Sequence, residues 1–358
     1  MMREASYWRK ENEEEGVVTC LLCPQYCKIR PGRVGVCRAR KNIDGRLYSL
    51  IYGEVTSFGL DPIEKKPLYH FYPGWDILSV GTRGCNLACG FCQNWHISQA
   101  DAKTQGLTPQ ELAGGAVEYG RHRRSIGVAY TYSEPLIWYE FVVDAAKLVH
   151  ERGLKNVLVT NGEINEDPLK ELLPHIDAMN IDVKAFTESF YAKICHGKLA
   201  PVLRTAELAK AAGCHIEITN LIIPGHNDHP DEIKRLVHWV ASSLGDDTPL
   251  HFSRYFPAYK FDAPPTPVAT LRAAVEIARE ELKYVYMGNV PGGEGNDTRC
   301  YRCGESLIER SGFDLVAYRL EDGKCPTCGA EIHVVGAPPS MAAGPPFYVG
   351  PPFQEETR

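Results

Sequence analysis

Ile77-Leu78-Ser79-Val80 is a short apolar run that leads into Gly84-Cys85-Asn86-Leu87-Ala88-Cys89-Gly90-Phe91-Cys92, a loop with three cysteines. A brief apolar run bounded by turn-forming residues reads as a buried strand. A strand feeding a loop of chemically active side chains is the unit from which βα folds build their sites. Thiolates are the usual ligands of a [4Fe-4S] cube, which has four irons. Three protein thiolates therefore leave one iron open to another ligand. The competing reading is a zinc site of Cys85, Cys89, Cys92 and His96, because three thiolates and one imidazole at short spacing suit structural zinc.

Outward from this loop, between residues 76 and 290, apolar runs alternate with helical patterns, which predicts βα units on a parallel sheet. Thr108-Pro109-Gln110-Glu111 reads as a helix start, with Thr108 as cap, Pro109 in the first turn and Glu111 closing a capping box. Strands are expected at 126–130, 157–159, 179–183, 215–223, 250–255 and 284–287. The intervening helices are expected near 136–152, 168–173, 201–212, 231–244 and 271–282. Periodicity fits both a doubly wound open sheet and a partial (β/α)6 TIM-like barrel.

Polar residues at successive strand ends favour the barrel, since a barrel points them at one centre. They are Glu134 in Thr131-Tyr132-Ser133-Glu134-Pro135, Asn161 before Gly162, Asp182 with Lys184, Asn220 with the turn 224–228, and Arg254. Asp182 and Lys184 lie two apart and so share a strand face. Each also has a plain reading. Glu134 could serve a helix N-terminus, Asn161-Gly162 a turn, and Asp182 with Lys184 an internal ion pair.

The chain has 358 residues, 44% hydrophobic and 23% charged, with a formal net charge of -6. That balance speaks against a dominant nucleic-acid or anionic-membrane surface. No apolar run is long enough to span a bilayer, and the polar N-terminus lacks the apolar core of a signal peptide. Thirteen cysteines without such a signal read as metal ligands in a reducing, cytoplasmic setting. Eleven of them fall in three groups. Cys195 and Cys214 stand alone and read as small buried hydrophobes.

The three-cysteine loop with Gln93-Asn94-Trp95, together with Tyr130-Thr131-Tyr132-Ser133-Glu134-Pro135, the 61–67 stretch Asp-Pro-Ile-Glu-Lys-Lys-Pro and Cys20-Leu21-Leu22-Cys23-Pro24, resembles the radical S-adenosylmethionine (SAM) component of the AmmeMemoRadiSam system. That group is similar to the pyruvate formate-lyase activating enzymes. The resemblance runs from about residue 20 to 290. It implies that Cys85, Cys89 and Cys92 ligate a [4Fe-4S] cluster whose open iron chelates SAM, and that reductive cleavage gives a 5′-deoxyadenosyl radical. It further implies that Phe91 packs near the adenine. Glu134 would lie near the SAM amino group, with Tyr132 and Ser133 replacing the glycines of the related motif. Asn161, Asp182 and Lys184 would face SAM or substrate, with Glu134, Asp182 and Lys184 serving catalysis. Arg254 would contact a carboxylate or ribose. A ferredoxin or flavodoxin would supply electrons, and Memo-like and AMMECR-like proteins are the implied partners.

Two further cysteine sets flank the βα units. Cys300-x2-Cys303 and Cys325-x2-Cys328, each pair followed by glycine, form a zinc-ribbon-like module, with a rubredoxin-like iron site as rival. Cys20, Cys23, Cys27 and Cys37 could hold zinc or an auxiliary [4Fe-4S] cluster. The expected organisation is a four-cysteine segment (1–75), the partial barrel (76–290), the ribbon-like module (291–334) and a Pro/Gly-rich tail (335–358). Two alternatives stand beside the enzyme that abstracts hydrogen from an unidentified substrate: a glycyl-radical-enzyme activase acting on a partner protein, and a non-catalytic zinc protein.

Overall fold

The computed structural model describes residues 2–12 and 14–339, so the tail expected at 335–358 lies outside it from residue 340 onward. Its centre is an eight-stranded sheet. In chain order the strands are β1 (Ser57–Pro62), β2 (Asp76–Gly81), β3 (Ser125–Tyr130), β4 (Lys155–Thr160), β5 (Ala178–Asp182), β6 (His215–Ile222), β7 (Leu250–Arg254) and β8 (Val285–Gly288). Spatial order equals chain order, with β2 to β8 parallel and β1 antiparallel on β2. A doubly wound sheet reverses its order at a switch point. This sheet does not reverse, so the doubly wound reading falls.

The longer helices between the parallel strands are α1 (Pro109–Arg123), α2 (Tyr139–Glu151), α3 (Glu166–Leu172), α4 (Leu199–Ala211), α5 (Pro230–Trp239) and α6 (Val268–Ala278). Parallel crossovers are right-handed, which brings these helices to one face of the sheet. Strand burial follows: all six residues of β3 are buried, as expected for a parallel strand covered on both faces. The predicted capping box is present. Thr108 Oγ1 accepts from Glu111 N at 3.1 Å, and Glu111 Oε2 accepts from Thr108 N at 2.8 Å. The helix expected over 136–152 opens with a 3₁₀ turn, Pro135–Trp138, and that expected over 231–244 closes with a π turn, Val240–Leu244. No described helix is long and apolar enough to cross a membrane.

Two small sheets precede β1, Trp8–Asn12/Val17–Cys20/Lys28–Ile29 and Arg3–Glu4/Arg46–Ser49/Arg40–Ile43. Their apolar side chains, with Cys20 and Cys37, share the main core with β2 to β7. The junction is also ionic. Arg40, 1% exposed, donates from Nη2 to Glu140 Oε1 on α2 at 2.7 Å. At the other end a three-stranded sheet, Thr298–Arg299/Ser306–Ser311/Asp314–Tyr318, packs on Tyr69, Tyr284 and Tyr286. Buried Arg310 donates to the Tyr69 carbonyl at 2.8 Å and lies over the Tyr69 ring. His70 bridges the Tyr286 hydroxyl and the His333 carbonyl, each at 2.6 Å. Chain 335–337 runs back along 71–75, with Tyr72 N donating to the Val335 carbonyl and Trp75 Nε1 to the Ala337 carbonyl.

Candidate active site

The three cysteines follow β2, at the C-terminal ends of the parallel strands. The loop is fixed by backbone bonds: Gly84 N donates to the Ile97 carbonyl, and Ala88 N and Gly90 N donate to the carbonyls of Cys195 and Ile194. Gly84 sits at a φ of 92°, and a Cβ there would lie 2.5 Å from the Cys37 carbonyl oxygen. Only glycine lets the loop lie this close to the N-terminal segment.

Asn161, just beyond β4, donates from Nδ2 to Asn86 Oδ1 at 2.9 Å and approaches Cys85 Sγ at 3.6 Å. Glu134, 2% exposed, accepts from Asn161 N at 2.8 Å on Oε2, and from Leu136 N and the Thr160 hydroxyl on Oε1. Burial pushes its carboxyl up to about 7 against those donors. Lys184 reaches Asp182 at 2.6 Å and faces Cys89, Cys92 and Glu134 electrostatically. Burial pulls Lys184 down, but Asp182 and Cys89 outweigh it and its ammonium is held above the usual range. The structure thus brings Glu134, Asn161, Asp182 and Lys184 together around the loop. Phe91 is buried against Phe190 and Phe261. Arg254 is occupied differently, donating from Nε to the Thr266 carbonyl and lying over Phe256.

Several residues escaped the sequence reading. Asn86 is held from both ends, by Asn161 and by donating to the Glu163 carbonyl at 2.7 Å. Cys195, which looked like a lone core residue, sits beside the loop: its carbonyl accepts from Ala88 N, and its thiol, with burial, pushes the Cys89 thiol well up. Its position depends on a π turn, Tyr191–Cys195, that no local pattern announces. Thr160, whose hydroxyl donates to Glu134 Oε1 at 2.6 Å, carries no signal in the sequence.

The donor set fits an iron–sulfur cube better than a single ion. Tetrahedral zinc draws its thiolates to within about 4 Å of each other, given Zn–S bonds of about 2.3 Å. Among the described residues only Cys300, Cys303, Cys325 and Cys328 form a group of three or more ligands mutually within 4.8 Å. The loop cysteines with exposed His96 do not converge in that way, so the structure does not assemble the three-thiolate-and-imidazole zinc site. Leu87 N donates to Cys85 Sγ at 3.4 Å and the Ser98 hydroxyl meets Cys92 Sγ at 3.2 Å. Burial raises the Cys85 thiol well above its ordinary range, so a bound metal is what would hold it as thiolate. The C-terminal four close more tightly, with Cys300–Cys328 and Cys303–Cys325 sulfur separations of 3.5 and 3.6 Å.

The family model described as the radical SAM superfamily matches residues 79–240, from within β2 to just past α5. An uncharacterized protein of Methanocaldococcus jannaschii is 46% identical over 341 residues, covering 93% of this chain and 100% of its own. The pyruvate formate-lyase-activating enzyme of Clostridium pasteurianum is 26% identical over 163 residues, 44% of this chain and 66% of that protein. The benzylsuccinate synthase activating enzyme of Thauera aromatica is 26% identical over 200 residues, 54% of this chain and 60% of that protein. The chain carries a radical SAM domain with homology to pyruvate formate-lyase activating enzymes, and it is an enzyme. That domain implies a [4Fe-4S] cluster and SAM.

Proposed function

We propose that this protein cleaves SAM reductively and uses the resulting 5′-deoxyadenosyl radical to abstract hydrogen from an organic substrate. The convergence of three successive strand ends on the cysteine loop carries this reading: Asn161 on Cys85, Glu134 on Asn161, and Lys184 facing Cys89 and Cys92. A [4Fe-4S] cluster on Cys85, Cys89 and Cys92 would supply the electron that breaks the S–C5′ bond.

The chain's own groups hold and orient. Asn161 and Asn86 fix the direction of the Cys85 side chain. Glu134 uses three of its four acceptor positions within the protein, which leaves one on Oε2 for the SAM ammonium. Lys184 with Asp182 presents a charge pair to the SAM carboxylate or the substrate. Phe91 offers an apolar wall to the adenine, and Arg254 is the more remote candidate for a carboxylate or ribose contact. The 258–261 turn lies against the loop, with Lys260 N donating to the Gly90 carbonyl. The unreversed strand order supports reading the sheet as a partial barrel with its helices outside. Cys300, Cys303, Cys325 and Cys328 are proposed to hold zinc. The electron donor is proposed to be ferredoxin or flavodoxin, the partners Memo-like and AMMECR-like proteins, and the compartment the cytoplasm.

Homology to two activating enzymes favours a second reading, a glycyl-radical-enzyme activase; a persistent radical on a partner protein would mark it. The deciding experiment is SAM cleavage by anaerobically reconstituted protein with dithionite, beside Cys89→Ala. Production of 5′-deoxyadenosine and methionine, lost in the variant, supports the reading. A loop that takes up zinc and no iron sinks it.

A further inference from the structure

We propose that Cys20, Cys23, Cys27 and Cys37 hold a second [4Fe-4S] cluster, beside the three-cysteine loop.

All four cysteines line one enclosed, apolar-walled hollow, together with Arg40 and Asn86. Val36 N donates to Cys27 Sγ at 3.5 Å. The Arg40 guanidinium is buried and lines the same hollow. Its Nε has no hydrogen-bond partner among the described residues. A fixed cation beside four thiolates suits an anionic metal–thiolate centre.

Size decides between zinc and a cube. This chain carries its own comparison, because the C-terminal cysteines draw their sulfurs within 4.8 Å and no three of the N-terminal set do so. A tetrahedral ion needs the first arrangement; a cube, with an iron at each ligated corner, spreads its thiolates apart. The hollow is also joined to the loop. Asn86 lines it, Gln25 Nε2 donates to the Asn86 carbonyl at 3.1 Å, and the Cys37 carbonyl lies against Gly84. The two clusters are therefore neighbours.

The test is metal content of the full chain, reconstituted anaerobically with iron and sulfide, beside Cys85→Ala/Cys89→Ala/Cys92→Ala. The wild type is expected to hold about eight irons and eight labile sulfides, and the triple variant about four of each, with the EPR signal of one reduced cluster. About four irons in the wild type, none in the variant and a second zinc would overturn the proposal while leaving the SAM reading intact. The opposite failure is also distinct: about four irons in both proteins would keep the N-terminal cluster and remove the loop cluster. Should the triple variant fail to fold, Cys20→Ala/Cys23→Ala decides instead: a fall of about four irons from the wild-type total is expected, and an unchanged total overturns the proposal.

Discussion

Replacing Gly84 by alanine tests the contact between the cysteine loop and the N-terminal segment. Two costs add. An L-residue in the left-handed region pays about 1–2 kcal/mol. The new methyl would also sit 2.5 Å from the Cys37 carbonyl oxygen and 3.2 Å from Ile137 Cδ1. The first neighbour is backbone and cannot swing aside, so overpacking adds about 1–3 kcal/mol. The expected loss is about 2–5 kcal/mol. Gly213→Ala is the control, since Gly213 has a φ of 81° but nothing within 4 Å of its would-be Cβ. It should pay only the conformational cost. Anaerobic denaturant titration of both variants, with iron analysis, reads the difference. Gly84→Ala should lose more stability than Gly213→Ala and part of its iron. Equal losses, with iron unchanged, would refute the close approach as the reason for glycine.

Arg40→Met strands Glu140 without its buried partner and should cost about 3–5 kcal/mol in the same titration, whereas replacing both members together should recover most of it. Burial lowers His70 from about 6.5 to about 4, so its contribution is full above 6.5 and is lost as pH falls through 4. About 3 kcal/mol should disappear over that window, and His70→Phe should flatten this part of the stability–pH curve. Cys325→Ala should release the C-terminal metal, proposed to be zinc, seen as about one equivalent of zinc fewer by elemental analysis.

What the sequence disclosed was local. The cysteine loop, the Thr108 capping box and the strand-end residues Glu134, Asn161, Asp182 and Lys184 are each signalled within a few residues. Because each strand of β2 to β8 pairs with its chain neighbour, local order also carried the sheet. Strand β1 was hidden because Gly59, Asp61 and Pro62 dilute its apolar signal; its pairing with β2 and the bond from Tyr132 to Asp61 define it instead. Cys195 was hidden for a different reason. Its nearness to Cys89 is set by a chain separation of about a hundred residues and a π turn. The same holds for Glu217, which reads as one more strand residue yet is buried with His215 and His251 and accepts from the backbone of Tyr69 and His70.

The docking of the C-terminal module has a consequence for how the chain is made. Each sheet strand can add to the one synthesised just before it, so the sheet can grow in step with the ribosome. The bonds from Arg310 to Tyr69 and from His70 to His333 span 241 and 263 residues. Tyr69 and His70 therefore wait uncovered until residues 310 and 333 have been made. During that interval a nascent chain would be open to misassembly or to a chaperone, and its last described forty residues are what close it.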